Sequence, residues 1–356
     1  MTPWAAVVVA ALLAPGDLTE TEVYTRATAA KTAEEVAALE PALATIEPRW
    51  RAFRTIDVAS AWMRLRRWDD GLRVLDEHRA AAAPQEVVLL DESKVRFLRW
   101  AGRDDQAIAA AHRLLDSIAM EKKPSHWGPG VANGLHRELA GIYQRLGRFQ
   151  EALHEHGLWK PDTHCGTCNG EDDAEKSIDI ARCRLGLGEI DAALDGFLAA
   201  ATGTWGRRSD GAALFVEHSA RAGRIDAARK RIAGLDSDLR EKFDLPLRMA
   251  AAWAARDAKA LLDLAAGGYD AKARQALRWD ALRMAASFLP DCGKEGEVLL
   301  LGRITSGDLA TAFLAGVGPI PAALPAVKAR RAAAPEEDRP ILEWVVASIE
   351  AAARTK

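Results

Sequence analysis

The chain has 356 residues, 49% of them apolar, and a formal net charge of −3, a length that accommodates one large core, two ordinary domains or an extended array. The apolar share excludes wholesale disorder, and interspersed, nearly balanced acids and bases leave no global field to hold nucleic acid or an anionic membrane. Four cysteines are too few for a disulfide scaffold and fit a reducing, cytoplasmic setting.

Much of the apolar share is alanine, the best helix former and a residue that lets helices pack closely. Eleven tryptophans against three tyrosines recur from Trp4 to Trp344, which points to a packing role repeated from segment to segment. Residues 1–49 read as an N-terminal helical segment or cap. Its run from Trp4 to Ala14 has the length of a signal-peptide core, but no lysine or arginine precedes it and Pro15 stands where a cleavage site would fall. A buried helix capped by Thr2, with Pro3 in its first turn, is the expectation; export is the alternative. No run is long enough to span a bilayer.

From residue 50 to 265 a pattern repeats. The segments "LRWAGRDDQAIAAAHRLL", "YQRLGRFQEALHEHGLW", "CRLGLGEIDAALDGFLA" and "HSARAGRIDAARKRIAG" each end one apolar-periodic stretch at a glycine and carry an alanine five residues later. The glycines are Gly102, Gly147, Gly188 and Gly223; the alanines are Ala107, Ala152, Ala193 and Ala228. Glycine supplies the left-handed residue that stops a helix, and alanine lets the returning helix come close. An earlier copy has Arg66 in place of the glycine and Gly71 in place of the alanine, and a later one has Arg256 at the turn. The clear glycines lie about 35 to 45 residues apart, a period expected of stacked helix pairs.

Between two of these units, "HCGTCNGEDDAEKSIDIARC" gathers His164, Cys165, Cys168 and Cys183. Covalent haem attachment is excluded because Asn169, not histidine, follows the second cysteine. Zinc on Cys165 and Cys168, completed by Cys183, His164 or His156, is one reading. Cys183 is a difficult ligand because a helix starting near Asp172 would carry it about 15 Å away. A structural or sensing disulfide is a second reading and inert thiols a third. Cys292 stands alone, and a buried thiol is expected there.

Residues 266–356 bring in the glycine and proline of "LPDCGKEGEVLLLGRITSGD" and "AGVGPIPAALPAVKARRAAAPEEDRP" and read as a helical cap with irregular loops, closed by "PILEWVVASIEAAARTK". The glycines of "LGLGEID" and "WGPGVANG" lack the strand or the lysine and hydroxyl that phosphate loops require. No nucleophile, histidine and acid cluster announces itself, so a non-catalytic function is expected.

In "HRELAGIYQRLGRFQEALHEHGLWKP", Ala140, Tyr143, Gly147 and Ala152, with apolar Leu139 and Phe149, resemble the tetratricopeptide repeat pattern, and His156 departs from it where a large apolar residue is preferred. The resemblance implies an all-α, right-handed α-solenoid of antiparallel helix pairs over residues 50–265. It also implies that the first helix of each pair lines a concave surface for a protein or peptide partner. Carried onto this chain, the inward positions are Arg64, Arg96, Arg99, Arg137, Gln144, Arg145, Arg182 and Arg221. Arginine forks there fit carboxylates, so the expected partner has an acidic segment. A metal- or redox-responsive regulator built on Cys165 and Cys168 is the alternative.

Overall fold

The structure is a computed structural model and describes residues 18–120, 128–160, 166–203, 208–267, 281–293 except 282 and 286, 324–333, and single positions beyond. The capped helix expected at Thr2 and Pro3, and the closing helix as a whole, lie outside the described residues. Every described regular element is helical. Two compact units divide the chain, residues 1–160 and 161–356, so the expected run 50–265 contributes to both.

The N-terminal unit begins with α1 (Glu20–Ala29) and α2 (Ala33–Ala37). Both open on a reciprocal cap. Thr19 accepts from the Glu22 N–H while Glu22 accepts from the Thr19 N–H, and Thr32 and Glu35 repeat the arrangement. A 3₁₀ turn (Glu40–Ala44) leads to three helix pairs. These are α3 (Pro48–Arg64) with α4 (Trp68–Arg79), α5 (Pro84–Trp100) with α6 (Asp104–Met120), and α7 (Gly128–Arg145) with α8 (Phe149–Leu158). The C-terminal unit continues the scheme with α9 (Gly166–Gly186) and α10 (Ile190–Thr202), α11 (Arg208–Arg221) and α12 (Ile225–Ala233), and α13 (Ser237–Ala254) and α14 (Ala258–Gly267). A 3₁₀ turn (Leu289–Cys292) and α15 (Leu324–Ala333) follow.

One turn joins each pair. Gly102, Gly147, Gly188 and Gly223 have φ between 68° and 79°, in the left-handed region that stops a helix without steric cost. In each turn the next N–H reaches back to a carbonyl of the last helical turn, as Arg103 does to Leu98 at 2.9 Å and Arg148 to Tyr143 at 2.8 Å. Arg66 and Arg256 occupy the same conformation, both at φ 58°, and make the same bonds, Arg67 to Trp62 and Asp257 to Ala252. The turn is therefore a property of the packing as well as of glycine.

Five residues on, Ala107, Ala152 and Ala193 are wholly buried and Ala228 nearly so, where each second helix crosses its first. Gly71 takes this place in the first pair because a methyl group there would lie 2.7 Å from Met63 Cε and 3.0 Å from the Ala59 carbonyl. First helices also touch first helices within each unit: α3 meets α5, α5 meets α7, α9 meets α11, and α11 meets α13. Each unit buries its own apolar core, one built around Val58, Trp62, Leu75 and Phe97 and the other around Phe197, Phe215, Phe243 and Phe288.

The tryptophans do not share one role. Trp62, four residues before its turn, is buried and donates to Glu40 at 2.8 Å; Trp100, two before its turn, is half exposed; Trp253, three before, stacks on Phe288 at 4.9 Å. A shift of one residue turns a helical side chain by about 100°, so these rings face different neighbours.

Candidate partner-binding surface

The first helices carry the arginines that the repeat pattern singles out, and all seven are engaged inside their own unit. In the N-terminal unit, Arg64 at the end of α3 donates to the Ala27 carbonyl and ties α1 down. Arg96 lies 3.0 Å from Glu92 on α5 and 3.6 Å from Glu138 on α7, and Arg99 pairs with the same Glu138. Gly141 makes room for this: a methyl group there would lie 3.2 Å from the Arg99 guanidinium. Arg145 pairs with Asp104, and Arg137 lies over the Trp159 ring at 5.1 Å. Gln144 is half-buried, and its carbonyl accepts the turn N–H of Gly147.

These acids cancel most of the field that the arginines would project. Burial pushes the Glu92 carboxyl above the usual carboxylate range, with Arg96 opposing and Glu138 adding to the shift. The i, i+4 pair Glu92 and Arg96 is legible in the sequence; Glu138, about 40 residues from Arg96 and Arg99, is brought there only by the packing of α7 on α5.

Beside this network lies a hollow of about 280 Å³, lined by Ser60, Met63 and Arg64 of α3, Trp68 of α4 and Trp100 of α5. Trp100 is 52% exposed, with one face stacked on Phe97 at 5.5 Å. An indole left half in water forgoes roughly 1 to 2 kcal/mol of burial, and this one stands open beside a second tryptophan, Trp68. Periodicity does not mark Trp100 as different from buried Trp62.

In the C-terminal unit Arg182 pairs with Asp179 at 3.0 Å on its own helix. Arg221 closes a larger cluster: it lies 2.9 Å from Asp291, donates to the Ser287 carbonyl at 2.8 Å, and rests over the Trp253 and Phe288 rings. Behind it Glu217 is 3% exposed, receives the Ser287 hydroxyl at 2.5 Å and lies 3.3 Å from Arg283 Nη1, itself 6% exposed. His218, stacked on Phe197 at 5.2 Å, is held below the usual histidine range by burial. Such side chains hold the first helices to the segment that follows them.

The cysteines divide. His164 and Cys165 lie outside the described residues, and for Cys168 only the backbone is described. Helix α9 begins at Gly166, earlier than the start near Asp172 that Asn169 and Gly170, both poor helix formers, lead one to expect. Cys168 and Cys183 therefore sit on one continuous helix, about 22 Å apart along its axis at 1.5 Å per residue. Cys183 cannot complete a metal site with Cys168, and it is wholly buried, with burial and Asp179 pushing its thiol up to about 11. Cys292 is half-buried, with its Sγ directed at the Phe288 carbonyl at 3.7 Å. His156, part of the same zinc reading, is 2% exposed and tilted against Trp159. Among the described residues no group of three or more histidines, cysteines and acids is placed to hold a metal ion, and no helix is long and apolar enough to cross a membrane.

Fold and surface together define an all-helical protein of neighbouring helix pairs with repeated left-handed turns. No protein-family model matches the chain, and no curated protein is found to be similar to it.

Proposed function

We propose that this chain is a non-catalytic scaffold of the tetratricopeptide-like kind, a right-handed array of antiparallel helix pairs whose first helices offer a surface to a protein or peptide partner. The observation that carries the reading is the hollow at Trp100, Trp68 and Met63, where a large aromatic stands half exposed among first-helix side chains. Tryptophan and arginine are the residues that most often dominate binding energy, and an apolar anchor seated beside a charged rim is the usual form of a recognition site. The repeated turn supports the array: six left-handed residues followed by the same returning hydrogen bonds are what a stacked repeat requires.

In this reading the partner's apolar side chain enters the hollow and supplies the affinity. Arg96 and Arg99, already shared with Glu92 and Glu138, have N–H groups left over and set the orientation of an acidic flank.

Selection of random displayed peptides on the full chain tests this. The enriched peptides are expected to pair an aromatic or aliphatic residue with nearby aspartate or glutamate. They should lose at least about tenfold in affinity on Trp100→Ser and less on Arg96→Gln, with circular dichroism unchanged. Enriched peptides that bind Trp100→Ser as well as the parent chain, or no enrichment at all, overturn the reading.

A further inference from the structure

A second concavity lies elsewhere in the N-terminal unit. It is a cleft of about 430 Å³ bounded by the two second helices α4 and α6 and by α5, a size within the range of small-molecule sites. Its charges come in matched and unmatched groups. Arg79 of α4 forks onto Asp91 of α5 at 2.6 and 2.9 Å, and Lys94 of α5 returns to Asp76 of α4 at 2.6 and 2.8 Å. These crossed pairs leave the lining with one further cation, Arg113 of α6, which has no hydrogen-bond or ion-pair partner among the described residues.

Arg113 is not placed at random along its helix. Ala110, Arg113, Leu114 and Ser117 lie three, four and seven residues apart, which puts them on one stripe of α6 facing the crossed pairs. The stripe offers a guanidinium fork, a hydroxyl and a small apolar patch. We propose that the cleft binds a small monocarboxylate with a short apolar body, its carboxylate on Arg113 and Ser117 and its body against Ala110 and Leu114.

Charge decides the class of ligand. A planar guanidinium meets a carboxylate in two parallel hydrogen bonds. A single negative charge neutralises the one cation of the lining without a partner among the described residues, whereas a phosphate dianion brings a second charge toward Asp76 and Asp91. Because Arg79 and Lys94 are paired with those aspartates, Arg113 is the cation of the lining left to meet the ligand.

The probe is N-acetylleucine, observed by saturation transfer from the full chain at constant ionic strength, with N-acetylleucinamide as its neutral counterpart. N-acetylleucine is expected to give a signal that the amide does not, at least about tenfold weaker binding on Arg113→Gln, and partial retention on Arg113→Lys. Arg113 is exposed, so its variants keep the fold, and Ala110→Trp, which fills the cleft and leaves Arg113 in place, is expected to abolish the signal. Equal binding of the amide, unchanged binding by Arg113→Gln or Ala110→Trp, absence of signal at tens of millimolar, or displacement by inorganic phosphate at lower concentration than by acetate would each overturn the proposal. A peptide ending in a free leucine carboxylate, compared with its C-terminal amide, separates a chain end from a free acid as the source of the group. Either result keeps the carboxylate assignment only if Arg113→Gln removes it.

Discussion

The two units use the same residue type in opposite ways. In the N-terminal unit Arg96 and Arg99 reach from α5 to Glu138 of α7 with side chains about one-third exposed, so water shares in every pair. In the C-terminal unit Glu217 and Arg283 are almost completely enclosed, with Ser287 completing the carboxylate's shell. Exposed pairs contribute little to stability because Coulomb attraction in water is weak and two long side chains are immobilised. Enclosed pairs contribute little net stability when intact, yet breaking one leaves a charge with no solvent. The first arrangement leaves its charges in reach of water; the second ties α11 to the segment after α14.

The sharpest test of that contrast removes one partner on each side. Arg283→Met removes the nearer of two cations from Glu217, leaving Arg221 Nε at 3.8 Å in a site closed to water, and is expected to cost about 3 kcal/mol, the low end for a broken enclosed pair, in urea unfolding of the full chain. Arg99→Met leaves Glu138 within reach of Arg96 and of water, and is expected to cost less than about 1 kcal/mol. The double change Glu217→Gln with Arg283→Met should recover much of the larger loss. Similar losses from the two single changes would break the comparison.

Close approach gives a second, smaller contrast. A methyl group on Gly211 of α11 would lie 2.5 Å from the Ala201 backbone nitrogen and 2.9 Å from the Phe197 carbonyl, atoms of α10 that cannot step aside. Gly211→Ala is expected to cost about 1 to 3 kcal/mol, the usual range for overpacking. At Gly71 the nearest obstacle is the Met63 methyl end, a flexible group that can turn away, although the Ala59 carbonyl at 3.0 Å must shift slightly. Gly71→Ala is expected to cost less than Gly211→Ala, and the reverse order in thermal unfolding would show that the Met63 end is held as firmly as backbone.

What the sequence discloses follows from how local each requirement is. Gly102, Gly147, Gly188 and Gly223 are readable because a left-handed residue leaves a chemical mark, and the buried alanines five residues later mark the helix crossing. Arg66 and Arg256 are readable only through register with the other copies. The Trp100 hollow and the Glu138 hub are not readable, since both depend on how one pair sits against the next. The early start of α9 at Gly166 is missed because propensity argues against helix at Asn169 and Gly170, yet the helix runs through both. The cleft at Arg113 joins i, i+3 pairs on three helices, each ordinary alone.

The turns provide the smallest contrast and the finest one. Arg66 in the N-terminal unit and Arg256 in the C-terminal unit both hold φ 58°, a conformation that costs a non-glycine residue roughly 1 to 2 kcal/mol. Part of that cost is returned on replacement by glycine, less the extra freedom glycine has in the unfolded chain. Arg66→Gly is therefore expected to stabilise by up to about 1 kcal/mol. Arg256→Gly relieves the same backbone but also deletes the guanidinium that donates to the Asp291 carbonyl, beside the aspartate that receives Arg221 and Trp253. Its gain is expected to be smaller than that of Arg66→Gly, or reversed. Equal gains in urea midpoints would mean that the Arg256 contact adds nothing, and that the C-terminal unit, unlike the rest of the comparison, draws no stability from its arginine at this turn.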